Sequence, residues 1–175
     1  MKYALIYGLL SGSVIAAIIS TAMFIGGLDG FGGSIWFGFA VMLVALSFIF
    51  VGVKRYRDVE RGGVIKFLPA LGVGVGIAAV AGVAYVAVWE IYLAATNYAF
   101  MEQYIAIIVP QRQAAGVPAA DIASEVAWMR DVYANPLKRV AITFSEMLPV
   151  SLLVALVSAA LLRNPKLLPA NVRSA

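Results

Sequence analysis

Four stretches of this 175-residue chain, at about 3–27, 34–53, 67–95 and 140–162, are each long and apolar enough to cross a lipid bilayer. Backbone N–H and C=O groups have no water to bond with inside hydrocarbon, so such segments are expected to close their hydrogen bonds within α-helices. Composition points the same way: hydrophobic residues make up 63% of the chain, against about 45–50% in an ordinary soluble domain. The expected fold is an all-α integral membrane protein, one domain over 1–175. It has four transmembrane helices, with an amphipathic helical hairpin at about 96–139 between spans three and four.

Charge sets the expected orientation. The net +4 is not spread as nucleic-acid binding requires: Lys54, Arg55, Arg57, Arg61 and Lys66 crowd one short loop, and Arg163, Lys166 and Arg173 follow the last apolar run. With Lys2 these make nine basic residues on one side, against Arg112, Arg130, Lys138 and Arg139 on the other. The positive-inside rule then places both termini and the basic loop in the cytoplasm of a multi-pass inner-membrane protein, and residues 96–139 in the periplasm. The basic segments can also lie against anionic head groups, which makes the bilayer itself the first partner. A cleaved signal peptide is the competing reading of the first span, but its apolar run exceeds the usual 7–15-residue core of such signals.

Cysteine and histidine are both absent, which closes off disulfides, thiol nucleophiles, thiolate or imidazole metal sites and the commonest neutral-pH general base. No cofactor and no metal site are expected, since a divalent ion held by carboxylates alone would be short of oxygen ligands. The glycine-rich run Gly26–Gly33 reads as the turn between spans one and two, not as a phosphate cradle, because no Lys-Ser/Thr follows it. Trp36 and Phe37 then sit at the outer interface. Gly8 and Gly12 in span one, and Gly72 and Gly76 in span three, are spaced four apart, the pattern that lets helix backbones approach closely in lipid. Packing within the chain and homodimerisation both use such stripes.

The segment after span three turns amphipathic. Tyr98, Met101, Ile105 and Ile108 recur at helical spacing, Pro110 and Gly116 mark a kink or stop, and a second helix near Pro118 carries Ile122, Val126, Met129 and Tyr133 on one face. These faces are expected to cap the spans, lie on the membrane surface or receive a partner helix. Asn135 followed by Pro136 is the start signal for the last helix.

Inside the four apolar stretches the only charged residue types are Glu90 and Glu146. An ionisable side chain at membrane depth costs roughly 2.5–3.5 kcal/mol, so it is paired, protonated or used. Each lies roughly 8–11 Å from the outer end of its span at a 1.5 Å rise per residue, which lets the two carboxyls meet and share one proton. Pro149 opens the helix beside Glu146 by removing the bond to the carbonyl of Ser145. Thr143, Ser145, Trp89 and Tyr92 complete the expected polar site. The alternative is a structural clasp, in which the glutamates hydrogen-bond each other or pair with Lys138, Arg139 or Arg130.

The runs Phe50–Asp58, Gly62–Phe67, Trp89-Glu90-Ile91-Tyr92, Asn135-Pro136-Leu137 and Ile142–Pro149 together resemble the bacterial membrane family known as domain of unknown function 4199, over nearly the whole chain. The resemblance implies a four-span bacterial inner-membrane protein with both glutamates in the family pattern, and it carries no catalytic assignment. Three functional classes follow. The first is a non-enzymatic membrane module for partner binding or envelope support, working through a membrane-protein partner or a homodimer. The second is a small proton- or cation-coupled transporter or channel component using Glu90 and Glu146. The third and weakest is a lipid-modifying enzyme, for which neither a phosphate-binding cluster nor a nucleophile elbow is evident.

Overall fold

A computed structural model of the chain describes residues 1–31 and 35–170, with the side chains of 19–39 outside the description. Among the described residues there are six helices and no strand: α1 (Lys2–Phe31), α2 (Ile35–Glu60), α3 (Phe67–Ala95), α4 (Phe100–Ala114), α5 (Ala119–Ala134) and α6 (Pro136–Leu162). Helices α3 and α6 are each long and apolar enough to cross a membrane.

Two boundaries differ from expectation. Helix α1 runs on through Gly26, Gly27 and Gly30 to Phe31, so the turn expected over 26–33 is shorter, and its remaining residues, 32–34, lie outside the described residues. A glycine inside a helix costs about 1 kcal/mol relative to alanine, too little to end a helix whose neighbours are strongly apolar. The expected interface position of Trp36 and Phe37 falls on side chains outside the description. Helix α2 continues beyond Val53 to Glu60, so Lys54, Arg55 and Arg57 are helical and the loop shrinks to 61–66. Lys54 supports that extra turn by an i,i+4 bond of 2.5 Å to Asp58. The helix ends where Gly62 and Gly63 adopt φ of +59° and +87°, which side-chain-bearing residues rarely take.

Helices α2 and α3 lie at the centre, with α1 and α6 each packed against both. Relative directions follow from contacts between named residues. Lys2 and Tyr3, at the start of α1, bond to Glu60 at the end of α2 at 2.7 and 3.0 Å, so these two helices are antiparallel. Gly8 faces Val80 and Gly12 faces Ala84, so α1 and α3 run parallel, with α1 starting about two turns further along. Gly74 faces Ala155 and Gly82 faces Phe144, so α6 runs antiparallel to α3.

Small residues set the helix separation. A Cβ added to Gly8 would fall 2.5 Å from Val80 Cβ, one on Gly82 would fall 2.6 Å from Phe144 Cε2, and one on Gly12 would collide with Ala84. The Gly8/Gly12 stripe therefore serves packing within the chain. The second expected stripe does not make such approaches among the described residues: a Cβ added to Gly72 would meet nothing within 4 Å, and one on Gly76 would meet Ala4 Cβ at 3.4 Å, an ordinary contact. The close approaches of α3 to α6 are made by Gly74 and Gly82 instead, because the buried face of α3 carries Ala70, Gly74, Ile77, Ala78 and Ala81. The core formed there joins Ile15, Leu46, Ile49, Ala155 and Leu162. The outward faces are apolar too, with Leu5, Leu9, Leu43, Val44, Val83, Leu153 and Leu156 all exposed.

At the end of the helices where α2 finishes, Arg57 is completely buried. It donates Nε to Asp58 at 2.7 Å, Nη1 to the carbonyls of Leu162 and Leu167 at 3.5 and 3.0 Å, and Nη2 to that of Leu168 at 2.5 Å. The guanidinium thus neutralises the negative end of α6 and folds the following segment back across it.

Two outcomes are expected in detergent thermal melts. Gly12→Leu destabilises by at least the 1–3 kcal/mol typical of overpacking, whereas Gly72→Leu, facing open space, stays close to wild type. Arg57→Ala costs about 3–5 kcal/mol, the range for removing one member of a buried ionic group. Limited proteolysis of Arg57→Ala then cuts within 163–170, and Arg57→Lys rescues little because an ammonium lacks the guanidinium fork.

Candidate functional site

The end of the molecule opposite Arg57 is built from the chain reversal after α3. Thr96 Oγ1 bonds back to the carbonyls of Tyr92 and Leu93 at 2.9 and 3.2 Å, and the Tyr98 N–H reaches the Leu93 carbonyl at 2.7 Å. Asn97 and Tyr98 take φ of 50° and 57°, each costing on the order of 1–3 kcal/mol for a residue with a side chain. The strained reversal aims α4 back over the helix ends. Helices α4 and α5 form an antiparallel hairpin: Glu102, near the start of α4, accepts two bonds from Arg130, near the end of α5, at 2.8 and 2.7 Å. Arg112 pairs with Glu125 at 2.8 Å near the hairpin tip. The Arg130 guanidinium holds the Glu102 carboxyl below the usual carboxylate range. Such exposed pairs are screened by solvent and add little, so Met101, Ile105, Ile122 and Val132, all buried, carry the hairpin's packing. Asn135 caps α6 as expected, its side chain accepting from Leu137 N and Lys138 N at 3.0 and 3.2 Å.

Arg139 fastens this hairpin down. Its Nε and Nη2 donate to the two carboxylate oxygens of Glu90 at 2.7 and 2.6 Å, and its Nη1 donates to the Tyr133 carbonyl at 2.6 Å. The guanidinium carbon also lies 5.1 Å from the centre of the Tyr98 ring, a cation–π contact on the strained turn. Both oxygens of Glu90 are thereby engaged, and no hydrogen bond joins it to Glu146 among the described residues. The expected proton-sharing pair is corrected here: a guanidinium supplies a full counter-charge and a planar fork, which satisfies a carboxylate better than a second carboxyl does. Nor are the two carboxyls buried within the chain, since Glu90 keeps 27% of its side chain exposed and Glu146 is exposed.

Beneath the hairpin, where α3, α4, α5 and α6 converge, lies a cavity of about 340 Å³. Its lining is aromatic: Tyr85 and Trp89 from α3, Phe100 and Tyr104 from α4, and Trp128 and Tyr133 from α5, with Met101, Met129, Val132 and Ile142 between them. Helix α6 contributes Thr143 and Glu146. The rings support one another, with Trp89 edge-on to Phe100 at 4.8 Å and Phe100 stacked with Tyr104 and Tyr133 at 6.1 and 6.2 Å. Burial in this wall pushes the Tyr133 phenol up, and the charge of Glu146 adds to it. That hydroxyl is therefore a neutral hydrogen-bonding group at neutral pH. Among the described residues Glu146 makes no hydrogen bond and no ion pair, and neither lysine nor arginine lines the cavity.

Of the residues expected at the site, Glu146, Thr143 and Trp89 come together in this cavity. Tyr92 stands behind it, stacked on Trp89 at 5.4 Å. Glu90 is in the clasp, while Ser145 and Pro149 are exposed, Ser145 Oγ bonding to its own helix at the Ile142 carbonyl. Tyr85, Phe100, Tyr104 and Trp128 were not anticipated. A signal existed for the first three: Tyr85, Trp89 and Tyr92 recur at i, i+4 and i+7, and Phe100 and Tyr104 at i and i+4, so each set shares a helix face.

Comparison with known proteins agrees with the resemblance drawn from the motifs. No curated protein and no solved structure matches the chain. The model of the family described as "Protein of unknown function (DUF4199)" matches residues 2–164, and the chain belongs to that family.

Proposed function

We propose that this protein is a non-enzymatic module of the bacterial inner membrane, crossing it four times and using its outer hairpin to roof a binding cavity. The observation that carries the reading is the Arg139 clasp, which holds α4 and α5 over an aromatic cavity containing an unpaired carboxyl. Helix direction favours four crossings: α1 packs parallel to α3 along Gly8 and Gly12, and α2 runs antiparallel to α1, so α1 and α2 follow the same axis as α3 and α6. The exposed Leu5, Ile6, Leu9 and Leu10 of α1 and Leu43, Val44 and Val51 of α2 fit contact with lipid. Lysines and arginines dominate the Arg57 end, which puts that end and both termini in the cytoplasm and the hairpin in the periplasm.

A cation-coupled transporter component is the second reading. It is favoured by Glu146 alone, an ionisable group on an apolar helix with no counter-charge among the described residues. Glu90 has no part in it, because its oxygens are occupied by Arg139. Paired-carboxylate acid–base catalysis has no geometric support, since Glu90 is held by Arg139 and no hydrogen bond joins it to Glu146 among the described residues.

Single-cysteine labelling in intact cells tests the topology. Ala115→Cys in the hairpin turn reacts with an impermeant maleimide and Val64→Cys does so only after lysis; the opposite pattern would overturn the orientation. Amide exchange in nanodiscs tests the clasp. Arg139→Ala lowers the protection of α4 and α5 by about 1.5–3 kcal/mol, the range for hydrogen bonds to charged groups. The 3–5 kcal/mol of a fully buried pair does not apply, because Glu90 is 27% exposed. Protection of α1–α3 stays unchanged. Equal loss throughout would mean that the clasp holds the whole fold and not the hairpin.

A further inference from the structure

We infer that the cavity under the hairpin binds a small alkylated ammonium ion, with Glu146 as its counter-ion and the rings of Trp89, Tyr104 and Tyr133 as the surfaces against its methyl groups. This rests on reading the roofed cavity as a binding site, and it names the ligand's chemistry. The electrostatics select the class. The face of an aromatic ring is negative, so those of the six lining rings that turn a face to the cavity favour a cation. The charged residue type in the lining is a carboxylate, and no basic side chain opposes it. An anion meets repulsion there, and a neutral ligand gains nothing from Glu146 beyond a hydrogen bond. A bare metal ion finds one carboxylate and three phenols in a largely apolar wall, too few hard oxygens to replace its water.

Size narrows the class further. A volume of about 340 Å³ is at the small end of ligand pockets, which run from roughly 300 to 1,000 Å³. Alkyl groups on nitrogen spread the charge over a hydrophobic surface, which suits Met101, Met129 and Ile142 beside the rings. A strongly hydrated primary ammonium would lose more solvation on entering. Such an ion can arrive as a soluble molecule or as the headgroup of a lipid, and both share the same chemistry.

The test uses the full-length protein in nanodiscs of phosphatidylglycerol, whose headgroup contains no nitrogen. Choline is titrated against 3,3-dimethylbutan-1-ol, its uncharged isostere, and binding is followed by tryptophan fluorescence, since Trp89 and Trp128 line the cavity. Choline is expected to saturate, with the isostere roughly tenfold weaker or worse. Glu146→Gln, at an exposed side chain, keeps the thermal melt and loses roughly tenfold in choline affinity while isostere binding is unchanged. Tyr104→Leu weakens choline several-fold and Tyr104→Phe restores it, because the ring and not the hydroxyl is required. Equal binding of choline and isostere, absence of choline binding, or a Glu146→Gln protein that binds choline like wild type would each sink the inference. Repeating the titration in discs of phosphatidylcholine assigns the source: competition identifies a lipid headgroup, and unchanged affinity a soluble cation, both upholding the ammonium site. Amide exchange keeps the two readings apart. A protected hairpin without choline binding rejects the ammonium ligand alone, whereas an unprotected hairpin rejects the roofed cavity itself.

Discussion

One guanidinium holds the hairpin end of this molecule together. Arg139 joins the last turns of α3 through Glu90, the end of α5 through the Tyr133 carbonyl, and the strained reversal at Tyr98 through its ring, while itself belonging to the first turns of α6. Four separately folded pieces of chain are tied by one side chain that is almost fully buried. The planar fork is what makes this possible, because five donors in fixed directions can serve a carboxylate and a carbonyl at once. Take it away and the hairpin keeps its own packing but loses its seat, and the cavity loses its roof.

Arg57 does corresponding work at the other end, and the two arginines explain why a chain so apolar retains basic residues deep in its structure. Each is placed where helix termini leave carbonyl groups without partners, so that its cost of burial is offset by charge-assisted hydrogen bonds and by the helix dipole. Between them the helices hold one another by closeness. Glycine and alanine at the crossing points bring α1 and α6 onto α3, and larger side chains face outwards. Small residues at crossing points let helix backbones approach closely, so that packing selects the neighbour.

Glu90 and Glu146 illustrate how far a sequence carries a functional reading. Both were recognisable as costly residues in apolar stretches, and their similar distances from the ends of their spans invited pairing. In the fold they are not level: Gly82 faces Phe144 in antiparallel helices, so Glu90 lies beside Arg139 in the first turns of α6 and Glu146 about two turns further along it. Which carboxyl faces which neighbour depends on helix rotation and on where the hairpin returns, and Arg139 lies 49 positions from Glu90 in the chain. The same limitation separated the glycine stripes: Gly8/Gly12 and Gly72/Gly76 have the same spacing, but only the first meets a neighbouring backbone. Tyr104 and Trp128 could not be joined to Glu146 from sequence, since nothing local says that α4 and α5 fold over α6.

Apolar length and the Asn135 cap were enough by themselves to determine that the chain is helical and where its last helix starts, because these depend on solvation and backbone geometry within a few residues; the end of α2 at Glu60, seven residues beyond the apolar run, was not among them. The two amphipathic segments announced a hairpin for the same reason. Tertiary structure alone decided that Glu90 is a fastening and Glu146 stands apart in an aromatic cavity. Those roles depend on contacts between helices distant in sequence, where the position of one arginine determines which carboxylate keeps its charge unanswered.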